Sequence, residues 1–332
     1  MKLQILSFCV AFLVCVLLLK LLIPLLVKLK AGQTILQYVS EHNGKQGTPT
    51  MGGIAFILCF SAVTLIFCGF SDTTVNVTVA VTVAYGVVGF LDDYIKVRYK
   101  HNLGLRPYQK VLVQLAIAVA VALYVWRSPY IGDVLNVPFG NTVISLGWWI
   151  IPFVVFVYLA MTNGVNLTDG LDGLATVTTL CYLAGIFAVV YCDMQQSMQL
   201  GVADAVQRQS NVLVCIAVMC GALLAFLIFN CYPAKVFMGD VGSLALGAFT
   251  SCVAIFTNNT LFIPVLGVMY VVSCVSVIVQ VVYFKLTGGK RVFLMAPYHH
   301  HLQHKGLSET RIVTVYAVVT LLTAMLLLYF GG

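Results

Sequence analysis

The sequence predicts an all-α integral membrane protein with ten transmembrane helices and catalytic loops on the cytoplasmic side. Of its 332 residues, 61% are hydrophobic and only 9% are charged, and the mean hydropathy is +1.01. A soluble domain carries roughly 25% charged residues, so the composition excludes a soluble enzyme. The alternating ten-residue pattern of a membrane β-barrel is absent, so the spans are predicted to be helical.

A spanning helix needs about 20 mostly apolar residues, and ten segments meet that requirement. Their approximate bounds are 3–27, 51–70, 74–91, 110–126, 145–162, 174–193, 211–229, 241–257, 261–284 and 312–330. The first is expected to be a retained helix and not a signal peptide, because its apolar run is too long and no small-residue cleavage site precedes Lys28. We therefore expect one polytopic domain over residues 1–332.

The net charge of +7 is distributed unevenly between the two sets of loops. One set carries most of the basic residues, whereas the other has only Lys2, Arg127 and Arg208. The positive-inside rule then predicts that the basic loops are cytoplasmic and that both termini lie outside. This charge suits membrane lipid headgroups and an anionic substrate, with no nucleic acid as partner. The eleven cysteines lie almost entirely in the spans and are predicted to be buried apolar residues.

The first cytoplasmic loop ends in HNGKQGTPTMGG, and its glycines let the backbone approach a ligand closely. Lys45 in this loop is a candidate phosphate contact. Alternatively, Thr50 only caps the second span.

The third span ends in GFLDDYIKV, which places Asp92 and Asp93 near the hydrocarbon boundary. Placing charged side chains there costs free energy, and charged residues at such positions usually have a functional role. Neighbouring carboxylates repel each other, which can produce a base or a cation site. The alternative is a structural pair neutralised by Lys96, four residues after Asp92 on the same helical face.

The polar stretch NGVNLTDGLDGLA lies between two apolar spans and contains Asn163, Asn166, Asp169 and Asp172. If Gly170–Ala175 starts a helix, both carboxylates lie on one face near its N-terminus, where anions are favoured. Taken alone, the stretch predicts one wall of a phosphate and metal site. A glycine-rich turn with one capping aspartate is the alternative. The earlier outside loop, 128–145, is predicted to form a short hairpin.

Asp240 follows the inside segment FNCYPAKVFMG and directly precedes a span. It is a candidate metal ligand, or alternatively a helix cap. Phe237 is a candidate surface for base stacking, or an interfacial anchor.

The last inside loop contains APYHHH, so three histidines follow each other at His299, His300 and His301. Consecutive residues of a helix cannot face one point, so at most two would serve one site. The nearby carboxylates are harder donors suited to magnesium, which leaves imidazole for phosphate oxygens. A solvated polar loop is the alternative.

Counting spans places all of these polar groups on the cytoplasmic side. Seven of the eleven acidic residues fall there. Carboxylates, lysines and histidines at a membrane surface are what a magnesium-dependent reaction between a diphosphate and a lipid-borne nucleophile needs. An ion or metabolite transporter is the alternative from another class, but it predicts charges near mid-membrane, not at one edge.

The motifs GTPTMGG, GFLDDYIKV, NLTDGLDGLA, FNCYPAKVFMGDVGS and APYHHH, taken in this order, resemble the phospho-N-acetylmuramoyl-pentapeptide transferase family. The resemblance implies a bacterial inner-membrane enzyme of peptidoglycan synthesis. Such an enzyme transfers phospho-MurNAc-pentapeptide from UDP-MurNAc-pentapeptide to undecaprenyl phosphate, giving lipid I and UMP with Mg²⁺. A UDP-GlcNAc:polyprenyl-phosphate transferase is the nearest alternative, and a homodimer is left open.

The resemblance also implies roles for individual residues. Asp240 would ligate Mg²⁺, and Asp92 with Asp93 would handle the lipid phosphate. We prefer Asp92 as the base for direct attack on the diphosphate, with a covalent aspartyl-phosphate as the alternative. The implied substrate-binding residues are Lys45, Lys110, Asn163, Asn166, Asp169, Asp172, Asn230, Phe237, Ala296, His299, His300 and His301. The stretch at 163–175 then forms one wall of the nucleotide-sugar binding site and does not form the metal site.

Overall fold

The computed structural model describes residues 1–29, 47–99, 104–140 and 142–331. Lys45, a predicted phosphate contact, lies outside the described residues. The twelve α-helices within the described ranges are α1 (Lys2–Lys28), α2 (Gly53–Cys68), α3 (Thr73–Tyr99), α4 (Pro107–Arg127), α5 (Ile150–Thr168), α6 (Leu174–Gln199), α7 (Ala203–Asn230), α8 (Gly239–Phe256), α9 (Ile263–Leu266), α10 (Val268–Leu286), α11 (Tyr298–His304) and α12 (Glu309–Gly331).

The all-α membrane fold is confirmed. Nine helices in the described ranges are long and apolar enough to cross a membrane, and α2 is a shorter apolar helix of 16 residues. The exact number of ten spans stays a prediction. The predicted span 261–284 is broken, because a 3-10 turn at Thr260–Phe262 and α9 precede Gly267, and only then does α10 begin.

The hairpin predicted within residues 128–145 is also confirmed. Strand β1 (Val134–Asn136) pairs antiparallel with β2 (Val143–Ser145), and Leu135 lies opposite Ile144. The hairpin is tied to the end of α8, because Asn136 Nδ2 donates to Asn259 Oδ1 at 3.0 Å and Asn259 Nδ2 donates to Asp193 at 2.8 Å.

Helix α8 is the centre of the bundle, since every residue from Val241 to Phe256 is buried. Helix α3 packs on it at Gly89, where a Cβ would overlap the backbone at Asp240. Helix α5 packs on it at Gly247, where a Cβ would overlap the backbone of Thr162. The α3 contact brings the last turns of α3 against the first turn of α8.

Both chain ends lie on the bundle face opposite the first turn of α8. Gln4 Nε2 donates to Ser210 Oγ at 3.4 Å, so α1 and α7 begin on the same face. Asp72, just before α3, accepts from Asn211 of α7 at 2.7 Å, which places the start of α3 on that face too. Glu309, which begins α12, contacts the turn before α6. Helix α12 therefore starts on the face that holds the first turn of α8 and ends on the opposite face.

Candidate active site

Three carboxylates meet where α3 ends and α8 begins. Asp92 and Asp93 are 3% and 4% exposed, and Asp240 lies on the first turn of α8. Ligand oxygens of the three residues lie within 4.8 Å of one another. Three oxygen donors at this spacing are a donor set that fits a hard divalent cation such as Mg²⁺.

Two lysines hold this cluster together. Lys96 Nζ lies 2.5 Å from Asp92 Oδ2, 3.7 Å from Asp93 Oδ1 and 2.9 Å from Asp240 Oδ2. Lys110 Nζ lies 2.8 Å from Asp240 Oδ2 and 4.0 Å from Asp92 Oδ2. Like charges this close need compensation, which the two ammonium groups supply. The Lys96 contact predicted for Asp92 is therefore present, but it extends to all three carboxylates.

Backbone amides fix the orientation of the first two carboxylates. Leu105 N donates to Asp92 Oδ1 at 2.8 Å, and Val241 N donates to Asp93 Oδ2 at 3.2 Å. Gly239 has a φ of 71°, and a Cβ there would overlap Asp93 Oδ2. A glycine is therefore required at this turn for both conformation and space.

Asp240 does not cap α8, so the capping alternative is wrong. The N-cap of α8 is Met238, and no side chain caps it. The Asp240 carboxylate instead faces the two lysines, and its Oδ1 accepts from Asn166 Nδ2 at 2.7 Å. Asn166 Nδ2 also donates to Ser243 Oγ at 2.8 Å. The predicted substrate-binding residue Asn166 therefore lies against the carboxylate cluster.

The helix-face prediction for Asp169 and Asp172 is wrong. Helix α5 ends at Thr168 with Asp169 as its C-cap, and α6 begins only at Leu174 after Gly173, whose φ is 75°. Both carboxylates thus lie in a turn between helices. Asp172 Oδ2 accepts from Ala234 N at 2.9 Å, which ties the turn to the segment before α8. Burial and the charges of Asp240 and Asp93 hold the pKa of Asp169 well above its usual value.

Asn163 and Asn230 use their amides within the protein. Asn163 Nδ2 donates to Gln114 Oε1 at 3.1 Å and to Leu159 O at 2.8 Å. Asn230 is 2% exposed, accepts from Thr176 Oγ1 at 2.7 Å and donates to Val236 O at 3.0 Å. Their contacts in this structure position α4, α6 and the segment before α8.

Phe237 is half-buried on the segment that leads into α8, and its backbone pairs with the end of the first loop. Its N–H donates to Pro49 O, and its carbonyl accepts from Gly52 N, both at 2.8 Å. The structure therefore joins the loop motif GTPTMGG to the MGD segment, as the common side of the two motifs predicts. Ala296, in the loop between α10 and α11, is also half-buried.

The three histidines have three different environments. His299 is fully buried, its Nε2 lies against Gly170, and within the described ranges neither ring nitrogen has a hydrogen-bond partner. His300 Nδ1 lies 3.1 Å from Gln303 Oε1. His301 Nδ1 accepts from Leu294 N at 3.1 Å, and its ring stacks on Tyr298. The run therefore does not present three imidazoles to one point.

The burial of His299 predicts a pH-dependent stability. Burial, with a smaller contribution from His300, lowers the pKa of His299 to about 3 from an ordinary 6.5. The unfolded chain therefore binds a proton below pH 6.5 that the folded chain does not, so stability falls as pH drops through that value. Between pH 7.5 and 5.5 the loss from this residue is about 1.4 kcal/mol. Denaturant unfolding in detergent of wild type and His299→Asn measures it, and an equal pH dependence in both would contradict the assignment.

Sequence reasoning gave Lys96 only a structural role and did not identify Gln114 or Ser243. The DDxxK spacing was the available signal for Lys96. Gln114 follows Lys110 by one helical turn, and it is fully buried beside Asn163. The four-residue spacing from Lys110, which places both side chains on one face of α4, was the signal in the sequence that could have identified Gln114.

Comparison with known proteins identifies the family. A family profile described as glycosyl transferase family 4 matches residues 75–258, and one described as phospho-N-acetylmuramoyl-pentapeptide-transferase signature 1 matches residues 45–57. A phospho-N-acetylmuramoyl-pentapeptide-transferase of Clostridium botulinum is 43% identical over 304 residues, which cover 91% of this chain and 88% of that protein. The chain belongs to the phospho-N-acetylmuramoyl-pentapeptide-transferase family.

Other members of this family are similar over still more of the chain. The protein of that name from Clostridioides difficile is 40% identical over 95% of this chain and 94% of its own length. The one from Listeria innocua is 41% identical over 96% of this chain and 95% of its own length. The family resemblance stated from the motifs is confirmed, and family membership favours the enzyme over the transporter.

Proposed function

We propose that this chain transfers phospho-MurNAc-pentapeptide from UDP-MurNAc-pentapeptide to undecaprenyl phosphate, giving lipid I and UMP. The observation that carries the proposal is the convergence of Asp92, Asp93 and Asp240 with two lysines at one end of the bundle, in a chain of this family. A reaction between a diphosphate and a lipid phosphate brings together two anions. Fixed cations at the site offset their repulsion.

In the proposed reaction, an oxygen of the lipid phosphate attacks the phosphorus that carries the sugar. The phosphorus–oxygen bond to the uridine phosphate breaks, and UMP leaves with the bonding electrons. Asp92 accepts the proton of the lipid phosphate when that phosphate arrives protonated. In this reaction Lys96 and Lys110 turn from the carboxylates to phosphate oxygens, which flexible ammonium groups bind as point charges. The direct route is proposed over a covalent aspartyl-phosphate, which trapping of an acyl-phosphate would support instead.

We assign Asp240 as the magnesium ligand, with Asp92 and Asp93 beside it. The buried carboxylates and the compensating ammonium groups support this assignment, because they create a site that holds positive charge. When bound, Mg²⁺ would neutralise charge on the diphosphate and on departing UMP.

The remaining predicted residues form the proposed nucleotide-sugar pocket. Phe237 is assigned to uracil stacking, since this aromatic residue is only half-buried and lies directly before the MGD turn. Asp169, Asp172 and Asn166 form the wall next to the cluster, and Asn163 with Asn230 supports it from behind. The polar residues proposed to complete the pocket around Ala296 are Lys45, Lys110, His299, His300 and His301.

We propose that the carboxylate cluster faces the cytoplasm from the bacterial inner membrane and that both termini lie outside. The excess of basic residues in the loops on the cluster side supports this orientation. The whole chain, 1–332, is proposed to act as one transferase unit, either alone or as a homodimer.

The substrate is tested with purified protein in nanodiscs that contain undecaprenyl phosphate. UDP-MurNAc-pentapeptide and UDP-GlcNAc are supplied separately with Mg²⁺, and mass spectrometry measures UMP and the lipid-linked product. We expect lipid I and equimolar UMP from the first substrate and no lipid-linked product from the second. Lipid-linked GlcNAc without lipid I would contradict the proposal and assign the chain to the sister reaction.

A further inference from the structure

A groove of about 360 Å³ opens on the face opposite the carboxylate cluster. It is lined by the C-terminal end of α4 and the residues after it, including Tyr124, Arg127 and Tyr130. Arg127 is the last residue of α4 and Lys110 lies on its first turn, so about 26 Å of helix separates the two. The groove is therefore separate from the proposed active site.

A second guanidinium contacts one of the residues that line the groove, although it is not itself part of the lining. Arg208 of α7 lies with its Cζ 4.0 Å from the centre of the Tyr130 ring, in a cation–π contact. Arg127 and Arg208 are two of the three basic residues that the charge distribution assigns to this face, the third being Lys2. One of these three cations, Arg127, thus lines the groove, and a second, Arg208, contacts its wall at Tyr130.

Neither arginine is neutralised within the part of the chain that the structure describes. No carboxylate there lies within 4.0 Å of either guanidinium. Asp72, beside the groove residue Thr73, already accepts from Thr74 N at 2.8 Å and from Asn211 Nδ2 at 2.7 Å. Asp204 lies one helical turn before Arg208, yet the Arg208 guanidinium stacks on Tyr130 and does not pair with the Asp204 carboxylate.

The remaining lining is apolar and continues onto the surface of the bundle. Leu123 and Pro129 line the groove, and Leu123 is 42% exposed. On the same helix Trp126 is 46% exposed, as an aromatic at a membrane interface is expected to be. A ligand that fills this groove thus needs a negative group for the two arginines and an apolar part for the helix surface.

We propose that this groove binds the headgroup of an anionic phospholipid from the leaflet opposite the active site. Guanidinium groups bind phosphate oxygens in a fork geometry, and the Tyr124 and Tyr130 rings provide walls for the glycerol region. The acyl chains then extend along the exposed side of α4. A lipid of net negative charge is favoured over a zwitterionic one, because a choline group would bring a third cation to two unpaired arginines.

The proposal is tested by lipid retention on the full-length purified protein. Protein from nanodiscs of mixed phosphatidylglycerol and phosphatidylcholine is delipidated stepwise, and native mass spectrometry measures the ratio of the two lipids that stay bound. We expect a preference for phosphatidylglycerol that falls about fivefold for each of Arg127→Gln and Arg208→Gln. Arg127→Gln removes an exposed side chain at a helix end, so it keeps the test available if Arg208→Gln does not fold.

Lys2→Gln is the matched control, because Lys2 is on the same face and its loss also removes one charge. It is expected to keep the wild-type lipid preference. An equal loss in Lys2→Gln, or an unchanged preference in Arg127→Gln, would overturn the site. Inorganic phosphate that displaces the lipid at millimolar concentration would show that the groove selects free phosphate, and would overturn the lipid assignment. UMP release is expected to be unchanged in all three variants, so this test is independent of the proposed reaction.

Discussion

Replacing Asp240 by asparagine is expected to lower the rate of UMP release by about 1000-fold. The carboxylate accepts from Lys96, Lys110 and Asn166 at 2.7 to 2.9 Å, and an amide of the same shape cannot carry its charge. The variant therefore loses both the proposed metal ligand and the group that positions the two lysines. Steady-state UMP release with saturating undecaprenyl phosphate measures the effect.

Asp204→Asn is the control for this variant. Asp204 is exposed on the first turn of α7, on the opposite face of the bundle, and its replacement removes the same charge. We expect UMP release within twofold of wild type and an unchanged melting temperature. If Asp240→Asn kept more than a tenth of the wild-type rate while remaining folded, Asp240 would not be part of the reaction centre.

The second large effect is expected for Gly89→Ala, although Gly89 has no side chain that could take part in the reaction. A Cβ at Gly89 would overlap the carbonyl of Asp240 and the backbone nitrogen of Val241. These atoms are backbone and cannot rotate away, so α3 must move from α8. We expect a loss of about 1–3 kcal/mol in stability. UMP release should fall at least tenfold even in folded protein, because Asp92 and Asp93 move with α3.

Gly140→Ala tests whether the substitution itself causes the effect. The nearest atom to a Cβ at Gly140 is Thr142 Oγ1 at 3.5 Å, which is ordinary contact. This variant is expected to match wild type in thermal unfolding and UMP release. A Gly89→Ala protein that matches it in both measurements would contradict the close α3–α8 contact.

Composition and span counting predicted the membrane fold and the common side of the polar motifs, because both follow from hydrophobicity averaged over long segments. Parity of the spans placed Asp92, Asp93 and Asp240 on one side of the membrane, but it did not predict that their oxygens lie within 4.8 Å of one another. Sequence reasoning could not find how Lys96 is shared, since its contact with Asp240 joins residues 144 positions apart. Local helical spacing shows the partners Asp92 and Asp93, but not Asp240.

The start of α6 was predicted at Gly170 as one reading of the glycine-rich stretch, and tertiary contacts decide it otherwise. Gly173 adopts a positive φ, and Gly170 packs against the buried His299 of α11. The Gly170–His299 contact joins distant parts of the chain, so it is not visible in a window of local sequence. The break before α10 was missed for a different reason: Pro264 and Gly267 mark it locally, but hydropathy averaged over the segment does not register them.

The most direct test of the account is the position of a metal ion in a crystal of the protein with a UDP-sugar analogue and Mn²⁺ in place of Mg²⁺. Anomalous scattering locates manganese without reference to the chain. The account predicts a peak at coordination distance from a carboxylate oxygen of Asp240, in contact with the diphosphate, with the uracil ring stacked on Phe237. A metal and diphosphate bound away from Asp92, Asp93 and Asp240 would contradict it.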